Sequence, residues 1–173
     1  MTNSSHNGCG IDIMMNAKVE LMNVTVKGCG NSALRTFDLF SETTFVATRC
    51  EFANNRYGAY VYGSLSSATF KNCVFHDNTH DGIHVGSATI HLHGKATAIY
   101  SNGRYGICAY SSGKVLIHLP SDHNTSYNNG QDGIAASSAK VVIHLPSHHN
   151  TTYNNTRQDR LTMSGGTITN VED

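Results

Sequence analysis

"KVLIHLPSDHNTSYNNGQDG", Lys114–Gly133, returns 26 residues later as "KVVIHLPSHHNTTYNNTRQD", Lys140–Asp159. Two nearly identical segments at a fixed offset describe one structural unit used twice. More diverged copies fill the rest of the chain. "YGAYV" at Tyr57 is followed by "DGIHV" at Asp81, "YGICA" at Tyr105 and "DGIAA" at Asp132. Their glycines are Gly58, Gly82, Gly106 and Gly133, with Gly10 and Ala33 in the same place earlier. The spacings are 23, 25, 24, 24 and 27 residues. A period between about 20 and 50 residues is the mark of a solenoid.

Each unit reads as three short strands. After the glycine comes an alternating run such as Ile83-His84-Val85 or Ile11-Asp12-Ile13. Alternation means a strand with one buried face. A second run follows ("VELMNV", "TFVAT", "ATFKN", "TIHLH", "VLIHLP", "VVIHLP"), then a weaker third ("CEFANN", "CVFHDN", "ATAIYSN"). No segment carries a 3.6-residue period. Three strands between Gly, Asn and Ser turns make one coil of a parallel β-helix, with each strand roughly 4.8 Å from its counterpart in the next coil. Asn55, Asn78, Asn102, Asn129 and Asn155 each end a third run. Asn tolerates left-handed turns, and stacked Asn side chains bond one another in a ladder.

Composition agrees with this reading. The chain has 173 residues, enough for one domain spanning 1–173, with a last partial coil over 160–173. Charged residues are 14% and the formal net charge is zero. Nucleic acid and anionic membranes are therefore not expected partners. No apolar stretch reaches the roughly 18 residues of a membrane span, and no signal peptide is visible at the start. An extracellular or virion-associated setting is the expectation. Five cysteines occur, and Cys9, Cys29, Cys50 and Cys73 recur at near-regular spacing while Cys108 stands apart. With no CxxC pair, they read as free thiols on successive coils rather than as disulfides. No cofactor is expected.

The "DGI" and "YGI" turns and the "NCVFHDN" type of segment resemble the right-handed parallel β-helix proteins of the pectin-lyase-like superfamily, from about Gly8 to Asp159. The resemblance implies a single-stranded, right-handed, all-β solenoid of six to seven coils. It is weak for activity, because the superfamily holds lyases, hydrolases, epimerases, viral spike proteins and non-catalytic domains. Its mannuronan epimerases carry Tyr-Gly followed by Asp-Pro-His. "RYGAYVYG" and "RYGICAYS" match only the Tyr-Gly. A pectate-lyase-like calcium site needs clustered carboxylates, whereas Asp77, Asp81, Asp122 and Asp132 are scattered.

Aligned on the glycines, the outward positions read Asp12, Arg35, Tyr60, His84, Cys108, Ala135, and two residues on Met14, Phe37, Tyr62, Gly86, Tyr110, Ser137. Before the glycine stand Tyr57, Asp81, Tyr105 and Asp132, preceded by Arg56, His80 and Arg104. Stacking gathers Tyr57, Tyr60, Tyr62, Asp81, His84, Arg104, Tyr105 and Tyr110 into one patch. It is first a solvated face with cross-strand aromatic pairs. Its functional alternative is a saccharide surface, with apolar ring faces and polar tips beside groups that bond hydroxyls or uronate carboxylates. A catalytic set would use Asp81 or His84 as base, Tyr60 or Tyr105 as acid, and Arg104 on a uronate.

A second column reads His91, His118 and His144 if the "IHL" segments align, with His123 and His149 as another pair and His93 opposite Pro120 and Pro146. It is expected to be a stack on the outer wall, and only weakly a metal site. Sequons at Asn3, Asn23, Asn124, Asn150 and Asn154 carry little weight in so Asn-rich a chain. The expected role is a non-enzymatic scaffold or binding module for polysaccharide, with self-association through the coil ends as a further expectation. The alternative is a lyase or epimerase acting on a uronate polymer.

Overall fold

In the computed structural model, residues 8–37, 40–118, 126–144 and 152–171 are described. The first coil contains β1 (Ile11–Ile13), β2 (Lys18–Met22) and β3 (Thr25–Lys27), and the second β4 (Ser32–Phe37), β5 (Thr43–Thr48) and β6 (Glu51–Ala53). The third holds β7 (Tyr57–Tyr62), β8 (Ser66–Lys71) and β9 (Val74–His76), and the fourth β10 (Ile83–Gly86), β11 (Thr89–His93) and β12 (Ala98–Tyr100). The fifth has β13 (Ile107–Tyr110), β14 (Lys114–His118) and β15 (Ser126–Tyr127), and the sixth β16 (Ile134–Ser137), β17 (Lys140–His144) and β18 (Thr152–Tyr153). Finally β19 (Arg160–Met163) and β20 (Thr167–Val171) begin a seventh. Every third strand pairs in parallel, giving a first sheet from β1 to β19, a second from β2 to β20 and a third from β3 to β18. The expected all-β parallel solenoid of six to seven coils is the observed fold, and no helix occurs among the described residues.

Inward side chains form columns along the axis. Phe45 stacks over Ala68 in one column, while Ala47 stacks under Phe70 in the next. The two bulky rings alternate, so each layer keeps a similar volume, as close packing requires. Phe70 meets Phe75 edge-on at 4.9 Å, and Phe75 lies parallel to Phe52 at 5.0 Å. Above this aromatic block the core becomes aliphatic, with Ile90, Leu92, Ile99, Ile117 and Ile143 fully buried.

The corner after the third sheet carries the asparagine ladder. Asn55 Nδ2 donates to Asn78 Oδ1 at 3.1 Å, Asn78 to Asn102 at 2.9 Å, Asn102 to Asn129 at 3.1 Å and Asn129 to Asn155 at 2.9 Å. Each Oδ1 also accepts a backbone N–H from the coil below, as Asn102 Oδ1 does from Asn78 at 3.2 Å. The last amide, Asn155, donates to the Asp159 carboxylate at 2.8 Å, an acceptor that closes the series. The left-handed residue is not the ladder Asn itself but its predecessor: Asn54, Asp77, Ser101, Asn128 and Asn154 have φ of 57°, 53°, 53°, 53° and 53°. The glycines opposite the ladder answer a spatial need. A Cβ on Gly82 would lie 2.5 Å from Ile99 Cγ2 and 2.8 Å from the Gly106 carbonyl oxygen.

The reading of the histidine column is corrected. The histidine column is His93, His118 and His144, because β11 pairs with β14 as His91↔Leu116 and His93↔His118, and β17 continues it as His118↔His144. His91 stands one column aside. The cysteines also divide. Cys50 and Cys73 share a corner column, their carbonyls accepting from the N–H groups of Val74 and Ala98. Cys29 lies instead at the foot of the ladder, its N–H donating to Asn55 Oδ1 at 2.9 Å. Cys50, Cys73 and Cys108 carry free thiols. The positions Asn3, Pro120, Asp122, His123, Asn124, Pro146, His149 and Asn150 fall outside the described residues.

Candidate functional site

The outer face of the first sheet brings the anticipated aromatic residues together in the expected register: Arg35↔Tyr60, Tyr60↔His84 and His84↔Cys108 in one column, Phe37↔Tyr62, Tyr62↔Gly86 and Gly86↔Tyr110 in the next. Gly86 is where the second column closes up. A Cβ there would sit 2.5 Å from Tyr110 Cζ and 2.7 Å from Tyr62 Cδ2, so both rings lean over the bare backbone. Tyr62 stacks on Phe37 at 5.2 Å and 17°, and on Tyr110 at 6.2 Å and 26°. The three rings make a platform running along the solenoid axis.

Behind the platform lies His84. Its ring stacks on Tyr60 at 5.0 Å and approaches Tyr110 at 4.8 Å and Tyr57 at 5.2 Å. Its Nδ1 meets Asp81 Oδ2 at 2.7 Å. Asp81 is 2% exposed, and its other oxygen accepts the Tyr105 N–H at 3.3 Å. Asp81, proposed from sequence as a ligand-binding group, therefore reaches the face only through His84. The next "DGI" turn lacks the partner. Where His84 follows Asp81, Ala135 follows Asp132, and the buried Asp132 Oδ2 has no hydrogen-bond partner.

Burial raises the Tyr110 hydroxyl above its ordinary value, and the 3.1 Å contact with the Tyr60 hydroxyl adds to this. Burial likewise pushes the Cys108 thiol up to about 12. A thiol so far above neutrality stays protonated and is a poor nucleophile. The catalytic candidates are thus brought close, but in a bonded and ring-enclosed arrangement.

Along the neighbouring corner runs a basic column. Backbone bonds link Arg56 to His80, His80 to Arg104, Arg104 to Gln131 and Gln131 to Arg157, one residue per coil. Arg56 lies over the Tyr57 ring at 5.3 Å, and Arg104 over Tyr105 at 5.5 Å. A cleft of about 260 Å³ between this corner and the face is lined by Asn31, Arg35, Phe37, Arg56, Tyr57 and Tyr60. Within it Arg35 is committed to Asp12, donating from Nε at 3.0 Å, whereas Arg56 faces the hollow.

A larger hollow, about 650 Å³, lies between the second and third sheets near Arg49, Glu51, His76 and Tyr100. Its polar groups are occupied with one another: Arg49 with Asn23 at 2.8 Å, Glu51 with His76 at 2.9 Å and Thr25 at 3.0 Å, and His76 with Asp77 at 2.8 Å. Size alone does not make it the better site. Beside it stands a ring stack absent from the sequence reading: His76, Tyr100, Tyr127 and Tyr153, at 5.0, 5.1 and 5.0 Å. Its signal was present. Each ring lies two residues before a ladder Asn, as in "YSN" and the two "YNN" segments.

Two groups among the described residues have the donors for a metal ion: His91 with His93 and His118, and Asp81 with His84 and Cys108. In the second, Asp81 is 2% exposed and both its oxygens are already engaged, by His84 Nδ1 and by the Tyr105 N–H. Asp77 is bonded to His76, and no cluster of carboxylates that could hold calcium forms among the described residues.

A family model described as "Right handed beta helix region" matches residues 2–95, more than half of the chain. The chain belongs to this right-handed β-helix family. No curated protein and no solved structure matches it.

Proposed function

We propose that this chain is a non-enzymatic β-helix binding module whose first-sheet face and arginine corner hold an acidic polysaccharide. The observation that carries the reading is the Phe37–Tyr62–Tyr110 platform beside Arg56 and Arg104. Flat ring faces accept the apolar faces of sugar rings while their hydroxyls bond the rim. Guanidinium groups pair with carboxylates through two parallel N–H bonds. Arg56 and Arg104 are two coils apart, roughly 9.6 Å at the usual strand spacing, so an extended chain lying along the axis meets both.

One observation favours the lyase or epimerase reading. The 2.7 Å bond from Asp81 orients the His84 imidazole as a base is oriented in many enzymes. Against it, three tyrosine rings enclose His84, and its side chain keeps 19% of its surface.

Binding of alginate and pectin, followed by calorimetry, tests the proposal. The expected result is saturable binding that Tyr62→Ala and Arg104→Ala each weaken about tenfold, a loss of about 1.4 kcal/mol. Incubation of the same polymers separates the alternatives. Unsaturated products or altered epimer content, abolished by His84→Ala, would replace the module reading with the enzyme. Absence of binding to any acidic or neutral polysaccharide would overturn both.

A further inference from the structure

The outer face of the second sheet holds an arrangement unrelated to the tyrosine platform. His91 and His93 alternate on β11, so both point outward, and His118 sits directly across from His93 on β14. Their ring centroids form a triangle with sides of 6.1, 4.6 and 5.6 Å, and the planes agree within 7°. One ring nitrogen from each lies within 4.8 Å of the other two. A tetrahedral ion with Zn–N bonds of 2.0–2.1 Å places its nitrogens about 3.3 Å apart. The nitrogens must draw together by up to about 1.5 Å, a movement that rotation about χ1 and χ2 of these incompletely buried rings can supply.

We propose that His91, His93 and His118 form a three-imidazole site for a late first-row divalent ion, best represented by zinc. The donor set decides the class of metal. Imidazole suits zinc, copper and nickel, whereas calcium and magnesium require oxygen ligands. The nearest carboxylate in either column is Glu20, three strands from His91. The column neighbours of His91 are Thr69 and Leu116, and on its β8 side His93 has Lys71. Lys71 is a like charge beside His93, which a small anion bound together with the ion would offset. Three protein ligands with one open position is the pattern of accessible zinc sites, as distinct from closed structural ones. His144 stacks on His118 at 4.6 Å but stands one strand further from His91. It belongs to the wall, not to the proposed ligand set.

Zinc titration of the full chain, stripped with a chelator and followed by competition with a chromophoric indicator, is the test. One ion per chain is expected. His91→Ala, His93→Ala and His118→Ala should each lower affinity by about tenfold or more, a change that even outer-shell partners produce. His144→Ala and His84→Ala should leave it within about threefold. Cobalt(II) should give the visible spectrum of a four-coordinate ion. All the rings are partly exposed, and circular dichroism of each variant verifies that the coils persist. No indicator displacement by wild-type chain, equal affinity in the triple alanine variant, or dependence on His144 in place of His91 would overturn the assignment.

Discussion

Tyr60 and Tyr110 are 50 residues apart in sequence, yet their hydroxyls meet at 3.1 Å across β10. The contact exists because the intervening strand presents Gly86 where a side chain would block it. Gly86→Ala should therefore swing the Tyr62 and Tyr110 rings outward and break the hydroxyl contact. Overpacking of this kind costs about 1–3 kcal/mol, and each kcal/mol lowers the melting temperature of a chain this size by roughly 2–4 °C. A melting curve and a tyrosine difference spectrum both unchanged from wild type would refute the role given to Gly86.

Asn102 is the centre of the ladder. It accepts two bonds from Asn78 and donates to Phe75 and Asn129. Asn102→Leu leaves buried donors and acceptors unmatched, each at about 1–3 kcal/mol, so a loss of about 3 kcal/mol or more is expected in urea unfolding. Asn155→Leu, at the half-exposed end, should cost clearly less. Equal losses at the two positions would mean that the ladder does not act through burial.

Phe70 touches Phe45, Phe52 and Phe75 and has no exposed surface. Truncation to Ala should cost about 3–5 kcal/mol. Phe37 is as bulky but 53% exposed. Phe37→Ala should change stability by no more than about 1 kcal/mol, including its stack on Tyr62, while weakening saccharide binding. Guanidinium unfolding of the two variants side by side measures the contrast.

Histidines on different sheets should respond to pH with opposite signs. Burial pulls the His76 pKa down, but the bonds to Asp77 and Glu51 outweigh it and hold it above 6.5. The bond to His76 holds Glu51 below 4.5. The His76 contribution is complete below 6.5 and fades as pH rises through the raised value. The Glu51 contribution is complete above 4.5 and fades as pH falls through the lowered one. The pair thus helps most between pH 4.5 and 6.5. His91 and His93 are held below 6.5, by burial first and then by Lys114 for His91, and by His91 and Lys71 for His93. They resist protonation in the fold, so stability is lost as pH falls through 6.5. In metal-free buffer, His76→Gln should lower the melting temperature more at pH 5.5 than at pH 8. His93→Gln should lessen the acid-induced loss seen in wild type. The same pH response in both variants would contradict this account.

Much of the fold is legible in the chain because a solenoid repeats its needs. A glycine opposite four of the five ladder Asn residues (Ala33 takes the place opposite Asn55), an Asn at the third corner from the second coil onward, and alternating apolar residues recur along the chain, so a single sequence acts as its own alignment. The first-sheet face follows from the same frame, since Tyr60, His84 and Cys108 are counted directly from their glycines. The second sheet is less readable. Aligning the "IHL" segments places His91 over His118, whereas the actual register places His93 there. A slip of one residue turns every side chain to the other face, but a slip of two preserves inside and outside, and the apolar pattern cannot detect it. The turn between β10 and β11 and the backbone bonding of the corners decide it. The ring stack of His76, Tyr100, Tyr127 and Tyr153 was missed for a related reason, because its strands are only two or three residues long and show too little alternation to reveal a face.

The sequence by itself determined the coil: its period, its buried stripe, its ladder and the near identity of Lys114–Gly133 with Lys140–Asp159, whose side chains must match their neighbours above and below. Only the tertiary structure decided which histidines stand together, that Asp81 is buried behind His84, and that Gly86 lets two tyrosines close over it. Those are distances between coils, and repetition dictates the spacing of backbones, not how far unlike side chains reach across it.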